Sequence, residues 1–338
     1  MKRSFLAFPA GLFLLLFTAA CSASSGYGGA NTVVSAPRAQ AELTVLSIGT
    51  ADSGGSMYPA GAAIADVINR RDSGIRVNVS ASSGSAMNLE QIESGQLDLG
   101  LISADVANAA LSSEERQDSG LRAVAAVYTS YSNWMAPSES GLTRVRDLAG
   151  KSAVVGPRDS TSALAAACAL DAAGILARTE LLNSSLGSGS QAVRDGEADA
   201  IHGFAGIPIP SLEELAGELP CRLLSYAPQE LKTILAQNPA YFAAVIPAGT
   251  YPGQETDVPT FGVKCLLCAD ESLDEAIVYQ ITQILLESGE ELSASFAPLA
   301  AMSEDGYLAS DLIIPLHPGA EACYRDAGLL PAAADSAP

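Results

Sequence analysis

Gly95-Gln96-Leu97-Asp98-Leu99 is echoed further along the chain by Gly196-Glu197-Ala198-Asp199-Ala200, and each copy follows a helical pattern and enters an apolar strand. A repeated order of helix, glycine, acid and strand predicts two similar α/β halves. In the first, the apolar run Leu43 to Ile48 leads into the loop Gly49-Thr50-Ala51-Asp52-Ser53-Gly54-Gly55, after which Pro59, Ile64, Val67 and Ile68 recur at helical spacing. Ile75 to Val79 alternates as a strand, Ser82-Ser83-Gly84-Ser85 forms a second loop, and Leu89 and Ile92 begin a helix that Gly95 stops. Leu97 to Ile102 and Leu121 to Tyr128 read as buried strands. The second half restarts this plan with the strand Ala153 to Gly156, the loop Pro157-Arg158-Asp159-Ser160-Thr161-Ser162 and an Ala-rich helix over Ala163 to Ala173. Strands alternating with helices predict parallel sheets, which place ligands beyond the carboxyl ends of the strands, and in a two-lobed molecule those ends share one cleft.

The length of 338 residues suits about two domains. Asp and Glu outnumber Lys and Arg by 38 to 18, a net charge of −20 that repels phosphate backbones and anionic lipid surfaces, so no nucleic-acid partner is expected. Lys2 and Arg3 followed by the apolar run Phe5 to Phe17 read as an export signal over residues 1–21. As a helix that run rises only about 20 Å, short of the roughly 30 Å hydrocarbon core. Thr18-Ala19-Ala20-Cys21 resembles a bacterial lipobox, which implies lipidation of Cys21, an extracytoplasmic location and membrane contact through that anchor alone. Residues 22–41, rich in Ser, Gly, Ala and Asn, read as a flexible linker, and 331–338 as a tail. Residues 42–130 with 226–330 are expected to form lobe 1 and 131–225 lobe 2, with crossings near Ser130 to Met135 and Ser225 to Pro228.

The loops themselves carry a resemblance. Gly49-Thr50 with Ser53-Gly54-Gly55-Ser56-Met57-Tyr58-Pro59, Ser82-Ser83-Gly84-Ser85-Ala86-Met87-Asn88-Leu89, and Ser103-Ala104-Asp105-Val106 are similar to elements of the TAXI class of solute receptors from tripartite ATP-independent periplasmic (TRAP) transporters. So are Phe204-Ala205-Gly206-Ile207-Pro208, Ile246 to Gly253 and Ile314 to Ala320. The resemblance spans Leu43 to about Tyr324. It implies a type II periplasmic-binding-protein fold that closes around a small solute, no catalysis, no cofactor and a membrane permease as partner. It also implies an acidic amino acid such as glutamate, or a dicarboxylate, as solute. The chain departs from the family pattern at Met57, where a second Tyr is frequent, and at Arg158 and Asp159.

Independently of any family, Ser- and Gly-rich loops at helix N-termini bind carboxylates through backbone N–H groups and hydroxyls. These loops, together with the elements that carry the resemblance, give as candidate ligand-binding residues Ser53, Gly54, Gly55, Met57, Tyr58, Ser83, Gly84, Ser85, Asn88, Asp105, Arg158, Ser160, Thr161, Ser162, Phe204 and Gly206. Asn88 reads equally as a ligand contact or a loop brace. Arg158 pointed into the cleft would hold a carboxylate bidentately; paired with Asp159 or exposed, it is a solvated loop charge. Asp105 suits an amine and Phe204 an aliphatic chain, while a helix cap and a core position are their plainer roles.

Beyond Cys21 the five cysteines are an odd number, so at least one thiol stays free; Cys168 with Cys221, and Cys323 with Cys265 or Cys268, are the conceivable bridges. Cys265-Leu-Leu-Cys268 has redox spacing but sits in the apolar strand Phe261 to Ala269, away from any helix start, and lacks the second pair that a zinc site needs. His202 follows a strand toward the cleft, and His317 reads as support for the C-terminal segment. Gly187-Ser188-Gly189-Ser190 reads as an exposed loop without nucleophile-elbow spacing. A monomeric transport receptor is thus expected, with a lipid-anchored sensory protein or a surface interaction protein as alternatives, and the acidic pair Glu213 and Glu214 as a candidate partner surface.

Overall fold

The computed structural model describes residues 43–116 and 119–331; the signal, lipobox, linker and tail lie outside them. The first half runs β1 (Thr44–Gly49), α1 (Met57–Arg70), β2 (Ile75–Ser80), α2 (Ser85–Glu93), β3 (Leu99–Ser103), α3 (Ala104–Ser112) and β4 (Leu121–Pro137). The second runs β5 (Ser152–Val154), α4 (Thr161–Ala172), β6 (Glu180–Leu182), α5 (Leu186–Arg194), β7 (Ala200–Ala205), α6 (Pro210–Glu218) and β8 (Cys221–Leu223). There follow α7 (Pro228–Gln237), β9 (Phe242–Ile246), β10 (Val258–Asp270), α8 (Glu275–Glu287), α9 (Gly289–Ser295) and α10 (Pro318–Asp326).

One mixed sheet joins the halves in the order β2-β1-β3-β10-β4-β7-β5-β6, with β8 added to β4 and β9 to β10. The same topology occurs twice. In the first half β2, β1 and β3 are parallel, and β10 lies antiparallel between β3 and β4. In the second, β6, β5 and β7 are parallel, and the far end of β4 lies antiparallel between β7 and β8. Each half thus borrows one long strand from the other, which makes this the two-lobed α/β fold expected from the sequence.

The internal echo is reproduced in the glycine turn and in the acid-to-serine bonds, with Asp199 alone also pairing to Lys151 Nζ at 3.1 Å. Gly95 and Gly196 end α2 and α5 with φ of 69° and 74°, a left-handed turn that glycine adopts without steric cost. Asp98 then accepts hydrogen bonds from the backbone and hydroxyl of Ser47 at 2.7 and 2.8 Å. Asp199 does the same with Ser152 at 2.9 and 3.2 Å. Each acid ties the start of one strand to its neighbour, a use of the carboxylate that explains the repeat without reference to a ligand.

Two boundaries differ from expectation. β4 does not stop at Tyr128: Thr129 to Asn133 break the apolar pattern yet stay in strand because β7 and β10 flank them, and the Thr260 hydroxyl donates to the Ser132 carbonyl at 2.7 Å. The return crossing is β10, not Ser225 to Pro228. Before it, the chain packs with the second half, where the Tyr251 hydroxyl donates to Asn133 and accepts from the Ile209 backbone. Gly187 to Ser190 also lie in α5 instead of an exposed loop, since a Cβ on Gly189 would fall 2.5 Å from Val154 and the helix needs that close approach to the sheet. Ile48, Ile64, Leu101 and Val127 centre the core on one face of the first half; Leu89, Ile102, Trp134 and Phe261 belong to a second cluster that spans both halves. Each such buried side chain contributes about 1.5–3 kcal/mol. Among the described residues no helix is long and apolar enough to cross a membrane.

Candidate functional site

A cavity of about 60 Å³ lies between the halves. The β1–α1 loop supplies Ala51, Asp52, Gly55, Ser56 and Met57; the β2–α2 loop, Ser83, Gly84 and Ser85; the β5–α4 loop, Pro157, Ser160, Thr161 and Ser162. Tyr128, Leu186, Phe204 and Ala205 complete the wall. A buried water needs roughly 10–15 Å³, so the space suits a small solute or a few waters. The halves touch around it. Ser56 donates its hydroxyl to the Gly206 carbonyl at 2.6 Å, Thr161 to the Ser85 hydroxyl at 3.0 Å, and Ser211 to the Gly54 carbonyl at 2.8 Å. A Cβ on Gly54 would fall 2.6 Å from the Gly187 nitrogen, so this backbone contact requires glycine.

The helix starts on the two sides are built differently. α1 and α2 begin at Ser56 and Gly84 and have no side-chain cap, which leaves first-turn N–H groups beside the cavity. α4 is capped by Ser160, whose hydroxyl oxygen accepts the Ala163 N–H at 3.2 Å. The hydroxyls are oriented by what they accept. Ser85 Oγ takes the Ser103 N–H and the Thr161 hydroxyl, both at 3.0 Å, filling its lone pairs and leaving its own proton to donate. Ser162 Oγ takes the Phe204 N–H at 2.7 Å. The wall therefore offers donors for an anionic solute. Among the described residues Asp52 is the one carboxylate on the wall, with Oδ1 accepting the Gly54 N–H at 3.0 Å, and none of them places an Arg, Lys or His there.

Of the residues singled out from sequence, Gly55, Met57, Ser83, Gly84, Ser85, Ser160, Thr161, Ser162 and Phe204 meet on this cavity. The others stand elsewhere. Asn88 is fully buried, donates to the carbonyls of Thr50 and Leu101 at 2.8 Å and faces the Ser82 hydroxyl at 2.7 Å, so it braces the loops from behind. Tyr58 is exposed, and Arg158 and Asp159 are exposed in their loop, Asp159 with a φ of 61°. Ser53 lies in the exposed turn before Gly54, and Gly206 packs on Pro298 and Tyr128. Asp105 accepts the Tyr241 hydroxyl at 3.0 Å and opens onto a separate groove of about 610 Å³ shared with Glu90 and Arg116. Burial raises its pKa against the lowering effect of bonds from Ser103 and Tyr241. Sequence reasoning passed over Ala51, Asp52, Ser56, Tyr128, Pro157, Leu186 and Ala205 on the wall. Asp52 and Ser56 belong to the first glycine loop, and Tyr128 ends the apolar run Leu121 to Tyr128 that reads as a buried strand.

His202 lies within β7, fully buried behind Ser162. Its Nδ1 is 3.0 Å from the Ser162 carbonyl and its Nε2 2.9 Å from the Ser132 hydroxyl. Burial drives its pKa from 6.5 down to about 3, so the ring is neutral. His317 caps α10, accepting the Gly319 N–H on Nδ1. The five described cysteines are free thiols. Cys265 and Cys268 belong to clusters on opposite sides of the sheet, which forbids a bridge between them.

The sequence profile of the NMT1-like family matches residues 48–328. Among solved structures, the periplasmic aliphatic sulphonate-binding protein SsuA from Escherichia coli aligns at 17% identity and a TM-score of 0.48, covering 84% of this chain and 83% of that one. The alkanesulfonate-binding SsuA from Xanthomonas axonopodis pv. citri, bound to MOPS, aligns at 17% identity and 0.47, covering 84% of each chain. An ancestral arginine-binding protein bound to arginine aligns at 12% identity and 0.46, covering 75% and 97%.

Proposed function

Taking as premise that the chain belongs to the NMT1-like family, we propose that it is an extracytoplasmic solute receptor that closes around a small carboxylate-bearing solute and presents it to a membrane permease. The observation that carries this reading is the cavity between the halves, with uncapped helix starts on one side and Ser85, Ser160 and Ser162 as donors. Neutral donors of this kind hold an anion without a cation. Asp52, the one carboxylate on the wall among the described residues, suits an ammonium, so an acidic amino acid fits better than a plain dicarboxylate. The open form would take the solute on the first half, and closure would add Ser160, Ser162 and Phe204, with β4 and β10 bending as the hinge. The loop motifs favour the TAXI class and hence a TRAP permease. Lipidation at Cys21 would tether the receptor, and Glu213 and Glu214, exposed on α6, offer an acidic face to the permease.

A thermal-shift screen tests the reading on protein unfolded and refolded to remove endogenous solute. The panel holds L-glutamate, L-aspartate, 2-oxoglutarate, succinate, sugars and taurine. A bound compound at about 100 times its Kd adds roughly 2.7 kcal/mol. We expect a selective shift with an amino dicarboxylate, lost in Ser85→Ala and retained in Tyr58→Ala because Tyr58 stands off the cavity. No shift with any compound, from folded and empty protein, rejects the reading.

A further inference from the structure

Behind Ser162 runs a line of buried hydrogen bonds whose direction is set at both ends. Trp134 Nε1 lies 2.8 Å from the Tyr226 hydroxyl, which lies 2.7 Å from Ser132 Oγ, which in turn lies 2.9 Å from His202 Nε2. His202 Nδ1 lies 3.0 Å from the Ser162 carbonyl. An indole N–H only donates and a carbonyl only accepts. The Ser162 carbonyl therefore places the imidazole proton on Nδ1; in the neutral ring Nε2 accepts from the Ser132 hydroxyl, whose single proton is then used, so Ser132 Oγ accepts from Tyr226, which accepts from Trp134. Trp134 and His202 are fully buried and Ser132 nearly so. The Trp134 and His202 rings are 4.5 Å apart between centroids, so the imidazole cannot turn freely.

The far end of this line is the cavity wall. Ser162 stands at the start of α4 with its carbonyl held by His202 and its oxygen accepting the Phe204 N–H. Its proton is left for the solute. Ser132 and Trp134, at the other end, belong to the part of β4 that passes into the second half.

We propose that His202 is a positioning residue: as the Nδ1–H tautomer it locks the Ser162 backbone, presents the Ser162 hydroxyl to the cavity as a donor, and joins that donor to the β4 crossing through Ser132, Tyr226 and Trp134. This rests on the solute-receptor reading for its consequence, although the tautomer stands apart from it.

Two measurements separate the two ideas. The chain has only two histidines, and the Gly319 N–H donated to Nδ1 of His317 puts that ring's proton on Nε2. Imidazole 15N spectra of the whole protein should thus show one ring of each tautomer, with the Nδ1–H ring unchanged between about pH 5 and 8. Two Nε2–H rings overturn the proposal whether or not any solute binds. With whichever of L-glutamate, L-aspartate, 2-oxoglutarate, succinate or taurine raises the Tm as probe, affinities follow for His202→Leu, His202→Asn and Ser162→Ala. His202→Leu should weaken binding about tenfold, the size of one lost hydrogen bond, and His202→Asn, which retains an N–H aimed at the carbonyl, should recover most of it. In the Ser162→Ala background His202→Leu should cost nothing further. An equal loss in that background shows that His202 acts by general packing and overturns the proposal. If His202→Leu does not fold, the Asn variant and the spectra decide. If no probe binds, the receptor reading fails and the spectra alone judge the tautomer.

Discussion

The two halves share a scaffold and differ where they face each other. Both have the same strand order, the same left-handed glycine after the second helix, and the same acid clamped to a serine on the neighbouring strand. At the cleft the first half leaves α1 and α2 without side-chain caps, while the second caps α4 and α5 with Ser160 and Ser185. Behind the first lies Asn88, a rigid brace; behind the second lies a histidine line that reaches into β4. Features held in common serve folding, and those that differ mark where the halves have separate tasks: the first presents uncapped N–H groups beside the Ser85 hydroxyl, the second a capped helix start with the Ser160 and Ser162 hydroxyls.

The comparison breaks most easily at the braces. Asn88→Ala removes the bonds to the Thr50 and Leu101 carbonyls and the one accepted from Ser82, whose hydroxyl keeps its bond to the Thr50 carbonyl, and should cost about 3 kcal/mol. Ser190→Ala in α5, which loses a single bond to the Ser211 carbonyl, should cost about 1 kcal/mol. Equal losses in chemical denaturation would mean the first half has no special brace. The shared clamp gives the opposite expectation. Asp98→Ala and Asp199→Ala should each cost about 2 kcal/mol, and a difference much beyond 1 kcal/mol would break the equivalence of the halves.

The next effect belongs to the second half alone. His202 is held neutral, with a pKa lowered by burial from 6.5 to about 3, so the unfolded chain binds a proton that the folded chain refuses. Its stabilising contribution is complete above 6.5 and is lost as the pH falls from there toward about 3. Over that window the wild type should lose up to about 1.4 kcal/mol per pH unit more than His202→Asn, which has no group to titrate; parallel pH–stability curves would refute the buried neutral ring. The smallest effect is chemical. Burial raises all five described thiols, Cys265 to about 12 and Cys221 and Cys323 to about 11, and Cys168 alone is partly exposed. In the native protein a thiol reagent should modify Cys168 first and slowly, and reductant should leave the Tm unchanged.

Much of the site was readable because its loops are local objects. Gly54-Gly55, Ser83-Gly84-Ser85 and Ser160-Thr161-Ser162 mark strand-to-helix turns by composition alone, and all three reach the cavity. Asn88, Asp105 and Arg158 were ambiguous for a physical reason: a polar residue in the first turn of a helix, or in the loop before one, caps, braces or binds according to partners that lie far away in the chain. Asn88 found Thr50 and Leu101, Asp105 found Tyr241, and Arg158 found solvent.

By itself the sequence determined the two α/β halves, their common plan, the glycine-ended helices and the turns that border the cleft, since periods of 2 and 3.6 and the freedom of glycine are properties of short segments. Only the tertiary structure decided that β4 and β10 pass through both halves, that Asp52 and not Arg158 supplies the charge on the wall, and that a buried histidine stands behind Ser162. These depend on contacts such as Ser85 with Thr161 and Ser132 with His202, which join residues 76 and 70 positions apart. Such contacts exist only once both halves have folded and met.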